Sequence, residues 1–378
     1  MKILWLSPWL RPLARAYAGE LRAAGDEVLL VTSDQHPQPA VPLPWELVLD
    51  PRPKSPASWP STAAAALAVR RFDPDVVVTE LVRDPRWLGF ARSVPRVSLI
   101  HDDQPHGPEE RRPRWEERLF DRWNAGAVTT VCFSEYVARR VEGTPGVAGR
   151  LATVPLTSDL PEEIVPRPVE AGERRDFVLI GRLNEYKNLP RVLEAWDAHQ
   201  SGPHHHGDRL RLFGAAATEP VLPRNAWWNG GSYDYLDLLA PLSRAKGSVV
   251  HYQLATQSGV QVLSMQLGVS PIVSTRGGLP EFQPARPRPI DPDDVGGLVA
   301  AFDQLADPEW AWSLGMHAHA HYAENFHASV AAARLRAVLQ DTVDHAAAAR
   351  VRPPAVVDDH DVHGNPLTVA DPDAERHP

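Results

Sequence analysis

The chain is poor in the features that announce a secreted, membrane-spanning or nucleic-acid-binding protein. Its 378 residues include one cysteine, Cys132, set in the apolar run VTTVCFSE. A disulfide within the chain is thereby excluded, and the thiol reads as a small buried hydrophobe in a reducing, cytoplasmic protein. Positive charge is also short: 39 Lys and Arg face 48 Asp and Glu, a net of -9. That balance offers no general attraction to nucleic acid, so no nucleic-acid partner is expected. Long apolar runs are missing as well. The start, MKILWLSPWLRPLARAY, has a hydrophobic run too short for a bilayer and no small-residue cleavage site behind it, which predicts neither span nor secretion. Metal-ligand spacings are scarce too. The three histidines of SGPHHHGDR (201–209) are neighbours flanked by glycine and proline, a loop rather than a ligand set. Of the Asp-Pro-Asp triplets, 73–75 precedes a strand, 291–293 lies in a loop and 371–373 in the tail, so no metal and no resident cofactor is expected.

What is present is alternation. Short apolar runs separated by helical patterns signal parallel sheets covered by helices. A first series comprises KILWLS (2–7), EVLLVTS (27–33), DVVVTEL (75–81), RVSLIHD (96–102) and VTTVCFS (128–134). Between the first two runs, Leu13, Tyr17 and Leu21 have helical spacing and Gly25 closes the helix. The proline-rich, charged stretch 160–176 breaks the pattern and marks a boundary. A second series follows: DFVLIGRL (176–183), RLRLFGA (209–215), SVVHYQLA (248–255) and PIVSTRGG (271–278). The chain thus divides into a domain over 1–165, a second over 172–325, a C-terminal helix over 326–350 that can return to the first domain, and a tail, 351–378, without apolar period and expected to be disordered.

Chemistry concentrates in the second half. In FVLIGRLNEYKNLPRVLEAW (177–196) a strand meets Gly181, Arg182 and Lys187 sit five apart, and a helix follows. Glycine lets backbone approach a ligand, and two cations before a helix can neutralise a diphosphate; an ordinary turn with surface cations is the plain alternative. Further on, ATQSGVQVLSMQLGVSPIVSTRGGLPE (255–281) runs from a buried segment through a Ser-Pro turn to a Gly-Gly loop and an acid. GRLNEYKN and this segment together resemble retaining glycosyltransferases of family 4, and the likeness extends along nearly the whole chain.

The resemblance implies an α/β protein of the GT-B fold, with two facing Rossmann-like domains. It implies a nucleotide-sugar donor bound in the second domain, as co-substrate rather than cofactor, and transfer with retention. It also implies a departing diphosphate stabilised by Arg182 and Lys187 without a metal. The family's paired glutamates, with seven residues between them, fall here on Thr256 and Ser264, while Gly259, Val262, Leu263 and Pro271 match the motif. In the family the first glutamate approaches the donor sugar and the second the ribose; Thr and Ser keep hydrogen bonding without charge, and Gln257 and Gln261 can join. Donor-binding candidates are Gly181, Arg182, Lys187, Tyr233, Thr256, Gln257, Ser258, Gly259, Val260, Ser264 and Glu281. His101, ending a strand of the first domain, matches a family histidine near the reacting sugar, or else caps its own loop. Acceptor-side candidates are Pro8, Trp9, Thr79, Glu80, Asp102 and Ser134. The family's glycine pair after the first strand is replaced by SPWLRP (7–12), which argues against an acceptor phosphate there. The acceptor is not legible: saccharide, lipid-linked or small molecule. In RRPRWEERLFDRWNAG (111–126), Trp115, Leu119 and Trp123 share a helical stripe, a core face by preference and a peripheral membrane contact as the alternative. A silent sugar-nucleotide-binding protein and a GT-B epimerase or phosphorylase stay open as alternatives.

Overall fold

The computed structural model describes residues 1–33, 41–50, 55–91, 94–103 and 113–351; of the tail expected to be disordered, 352–378 lie outside them. Two wholly parallel sheets form the frame. The first joins β1 (Lys2–Ser7), β2 (Glu27–Ser33), β3 (Glu46–Leu49), β4 (Val76–Glu80), β5 (Arg96–Ile100), β6 (Thr129–Cys132) and β7 (Leu151–Thr153) in the order β3-β2-β1-β4-β5-β6-β7. The second joins β8 (Phe177–Ile180), β9 (Leu210–Phe213), β10 (Ala226–Asn229), β11 (Gly247–Val250) and β12 (Pro271–Val273) in the order β10-β9-β8-β11-β12. Central strands such as ILWL and VVV are buried on both faces, as parallel strands between helices require.

Helices α1 (Arg11–Ala23), α2 (Trp59–Phe72), α3 (Arg114–Ala125) and α4 (Glu135–Val141) belong to the first sheet. Helix α1 turns Leu13, Tyr17 and Leu21 inward and is followed by Gly25 at φ 91°, a left-handed position suited to glycine. Helix α3 buries Phe120; Trp115 (64% exposed) and Leu119 (38%) face outward, so of the 115–119–123 stripe only Trp123 packs, half-buried, against the core. Trp123 also carries the Arg96 guanidinium 4.1 Å from its ring centre. Around the second sheet lie α5 (Leu189–Gln200), α6 (Tyr235–Ser243), α7 (Gly259–Gln266), α8 (Leu279–Phe282), α9 (Val295–Ala306) and α10 (Pro308–Asn325). The last helix, α11 (Ala328–Val351), returns to the first sheet: Ala331, Ala332, Leu335 and Leu339 share a core with Leu13, Tyr17 and Leu21 of α1. Arg336 donates to Asp26, and the Thr342 and Thr129 hydroxyls are 2.9 Å apart. The two sheets direct their strand exits toward a shared cleft, where His101 and Asp102 follow β5 and the loop 251–258 follows β11.

Candidate functional site

Glycine geometry shapes the floor of the site. Gly181 leaves β8 at φ 111° and Gly214 leaves β9 at φ 133°; a Cβ on Gly214 would collide with the Gly181 carbonyl. A Cβ on Gly181 would meet Lys187 Nζ at 2.9 Å. The side chain of Lys187 therefore lies back over the strand exit, donating to the Ile180 carbonyl at 3.1 Å and to the Tyr252 hydroxyl at 2.5 Å. Its ammonium sits 3.9 Å from the Tyr252 ring centre and 5.4 Å from that of Tyr186. Among the described residues no carboxylate pairs with it. Burial, with exposed Arg182 adding like charge, brings the Lys187 pKa down from 10.5 to about 7. Half-buried Tyr233 belongs to the same group: its hydroxyl pKa is raised by burial and by nearby Tyr186, with Arg182 opposing.

The segment 255–264 forms one wall. Ser258 caps α7, its hydroxyl accepting from Gln261 N at 3.3 Å, and lies near the Tyr252 hydroxyl. A helix N-terminus thus lies beside Lys187, and both favour an anion. Nothing lies within 4 Å of a Cβ built on Gly259, and Val260 packs half-buried behind it. Gln257 has a buried carboxamide oxygen without a hydrogen-bond partner. Ser264, fully buried inside α7, donates to the Val260 carbonyl at 2.6 Å, so no exposed hydroxyl stands at that position.

The opposite wall comes from the first domain. His101 Nε2 is 2.7 Å from Glu80 Oε1, and its ring lies 4.6 Å from that of Phe133. Glu80, 1% exposed, also accepts from Trp5 Nε1 at 3.4 Å. With Glu80 accepting, His101 Nε2 is the donor of this hydrogen bond, which fixes the orientation of the ring. Glu80 is therefore an orienting group for His101, and Thr79 is buried with its hydroxyl on the Val97 carbonyl at 3.2 Å. Pro8 is buried, its carbonyl accepting from Ser33; Trp9 is 39% exposed, with the Arg83 guanidinium 5.8 Å above its ring.

Several hydrogen bonds cross the cleft. Thr256 Oγ1 donates to Asp102 Oδ1, and Ser134 Oγ donates to the Thr256 carbonyl at 3.1 Å. Glu281 accepts from Glu135 N and Tyr136 N, each at 2.7 Å, capping α4 from the other domain. Gly277 and Gly278 make this possible, since a Cβ on either would strike the carbonyls of Ala255 or Thr256. Sequence reasoning missed Tyr186, Tyr252, Gly214 and Arg83. Of these, only Gly214 had a local signal, a glycine at a strand exit like Gly181.

Residues 13–160 match the family model described as Glycosyltransferase Family 4. No curated protein matches the sequence. Sucrose-phosphate synthase (tll1590) from Thermosynechococcus elongatus is similar in structure, with a TM-score of 0.64 at 16% identity over 91% of this chain and 100% of that one. Alr3699/HepE of Anabaena in complex with UDP and glucose gives 0.62 at 13% identity, over 90% of this chain and 100% of that one.

The fold is GT-B.

A third GT-B structure, the E. coli trehalose-6-phosphate protein bound with UDP-2-fluoro glucose, gives 0.59 at 14% identity, over 91% and 99% of the two chains. At these identities the GT-B likeness carries architecture and not substrate. Among the described residues no helix is long and apolar enough to cross a membrane, and no group of three His, Cys, Asp or Glu side chains is placed to hold a metal ion.

Proposed function

We propose that this protein is a glycosyltransferase that moves a sugar from a nucleoside diphosphate sugar to an acceptor hydroxyl with retention of configuration. The observation that carries this reading is Lys187, a buried amine with no facing carboxylate among the described residues, beside Arg182 and the N-terminus of α7. Burying an ammonium without an anion works against stability, and such a group is retained where an anion arrives. A departing diphosphate would gain from the Lys187 and Arg182 charges and from backbone amides as its charge develops. That supply of positive charge is why we write the reaction without a metal. In this reading His101, oriented by Glu80 on the facing wall, would approach the reacting sugar. The family match over 13–160 and the neighbours named with UDP and sugars support the same reading. The acceptor class stays open among saccharides, lipid-linked sugars and small molecules, and the single buried Cys132 fits a cytoplasmic enzyme.

The test is thermal-shift screening with UDP, GDP and ADP and their sugar conjugates, followed by transfer assays with and without EDTA. Stabilisation by one diphosphate and turnover that survives chelation support the reading; turnover lost in EDTA and restored by magnesium or manganese refutes its metal-free part. The uncharged Thr256 and Ser264 favour one rival, a silent protein that binds the donor and never releases diphosphate. Product analysis separates transfer from epimerisation or phosphorolysis.

A further inference from the structure

Resting on the donor reading above, we propose that Asp102 is the carboxylate that recognises the donor's sugar hydroxyls, delivered from the first domain to the place where residue 256 carries none. Sugar hydroxyls are held best by strong acceptors, and a carboxylate offers two oxygens. Neither Thr256 nor Ser264 supplies one, and the Ser264 hydroxyl is committed inside α7. Asp102, however, places Oδ1 against Thr256 Oγ1 across the cleft. The junction is held in register on both sides, by Ser134 on the Thr256 carbonyl and by Gly278 against that same carbonyl.

The distance to the diphosphate group is short. Thr256 and Ser258 are two residues apart, at most about 7 Å along the chain. Ser258 lies near the Tyr252 hydroxyl, which accepts from Lys187. A hexose joined to a phosphate at Lys187 therefore extends naturally toward Asp102. A second acceptor points to the same ligand: the Gln257 carboxamide oxygen, next to Thr256, is buried with no hydrogen-bond partner. His101 precedes Asp102 directly, so recognition of the sugar and approach of the histidine arrive on one strand end. In the free protein Thr256 hydrogen-bonds the carboxylate, and a sugar hydroxyl replaces or joins it on binding.

Calorimetry with UDP and UDP-glucose, GDP and GDP-mannose, and ADP and ADP-glucose tests this on the full chain. The variants are Asp102→Asn, Thr256→Ala and the double Asp102→Asn/Thr256→Glu, each checked for a native unfolding transition. For the pair that binds, Asp102→Asn should leave the diphosphate within about threefold and weaken the sugar conjugate by about tenfold or more, the range for a charged hydrogen bond lost. Thr256→Ala keeps the acid and removes a neutral hydroxyl, so it should leave the diphosphate within about threefold and weaken the conjugate less than Asp102→Asn does, while the double variant, with the acid moved to 256, should recover most of the sugar-dependent affinity. Equal weakening of both ligands by Asp102→Asn would show a domain-closing contact only and overturn the proposal, as would no weakening of either. Wild type that binds no diphosphate would remove the donor reading itself, and the assignment of Asp102 with it.

Discussion

Binding of a diphosphate should draw a proton onto Lys187. Burial first, and the Arg182 charge second, leave this amine with a pKa of about 7 against its ordinary 10.5. At pH 8 about a tenth of the free protein then carries the ammonium, whereas a neighbouring diphosphate restores the charged form. Binding at pH 8 should take up about 0.9 proton, and affinity should fall about tenfold for each pH unit above 7. Calorimetry in two buffers of different ionisation enthalpy reads the uptake directly. Lys187→Met should bind more weakly, take up no proton and lose the pH dependence. The same group sets a stability slope of known sign. Between pH 7 and 10.5 the unfolded chain holds the proton more tightly, so stability rises with pH through that window, by up to about 5 kcal/mol. Lys187→Met should abolish the slope. No proton uptake at pH 8, with affinity flat from pH 7 to 9, would refute the placement of Lys187 against phosphate.

Gly259→Val should nearly abolish donor binding in a protein that still folds, because a Cβ there meets no atom of the free chain. Ser264→Ala should leave donor affinity unchanged, since its hydroxyl serves α7 alone; a large loss on titration would contradict that placement. With donor and acceptor in hand, His101→Ala should lower kcat while the diphosphate Kd holds, and Glu80→Gln should lower kcat less; equal loss of Tm without a kinetic effect would make the pair structural. Glu46, fully buried, is raised by desolvation but brought down to about 2 by Arg11 and Arg15. Its stabilisation is complete above pH 4.5 and lost as pH falls toward 2, so Glu46→Gln should cost about 3 kcal/mol at pH 7 and progressively less below pH 4.5, measured by denaturant unfolding.

The central strands were legible because parallel strands buried on both faces leave continuous apolar runs; β1 and β2 match theirs residue for residue. Three of the outer strands were not. ELVL, LAT and AWWN are three or four residues long and only partly buried at the sheet edges, too short for either period to register. Helix α3 shows the same limit: its apolar stripe is real, but the buried residue is Phe120, one position away, because packing and not periodicity chooses the inward face. At the site, Gly181 and Lys187 could be read together because six residues separate them. The Asp102 and Thr256 pair could not, since 154 residues separate them and no local pattern encodes a contact made only when two domains meet. Glu281 was legible as an acid after a Gly-Gly loop, but its use as a cap for α4 depends on that same meeting.

The return of α11 to the first sheet has a consequence for how the protein is made. Ala331, Leu335 and Leu339 fill the core beside Tyr17 and Leu21, more than 300 residues earlier in the chain. The first domain therefore emerges from the ribosome with one apolar flank of α1 uncovered and waits through the synthesis of the whole second domain before its last layer arrives. A nascent chain halted near residue 165 would lack this layer and leave that flank of α1 open to water.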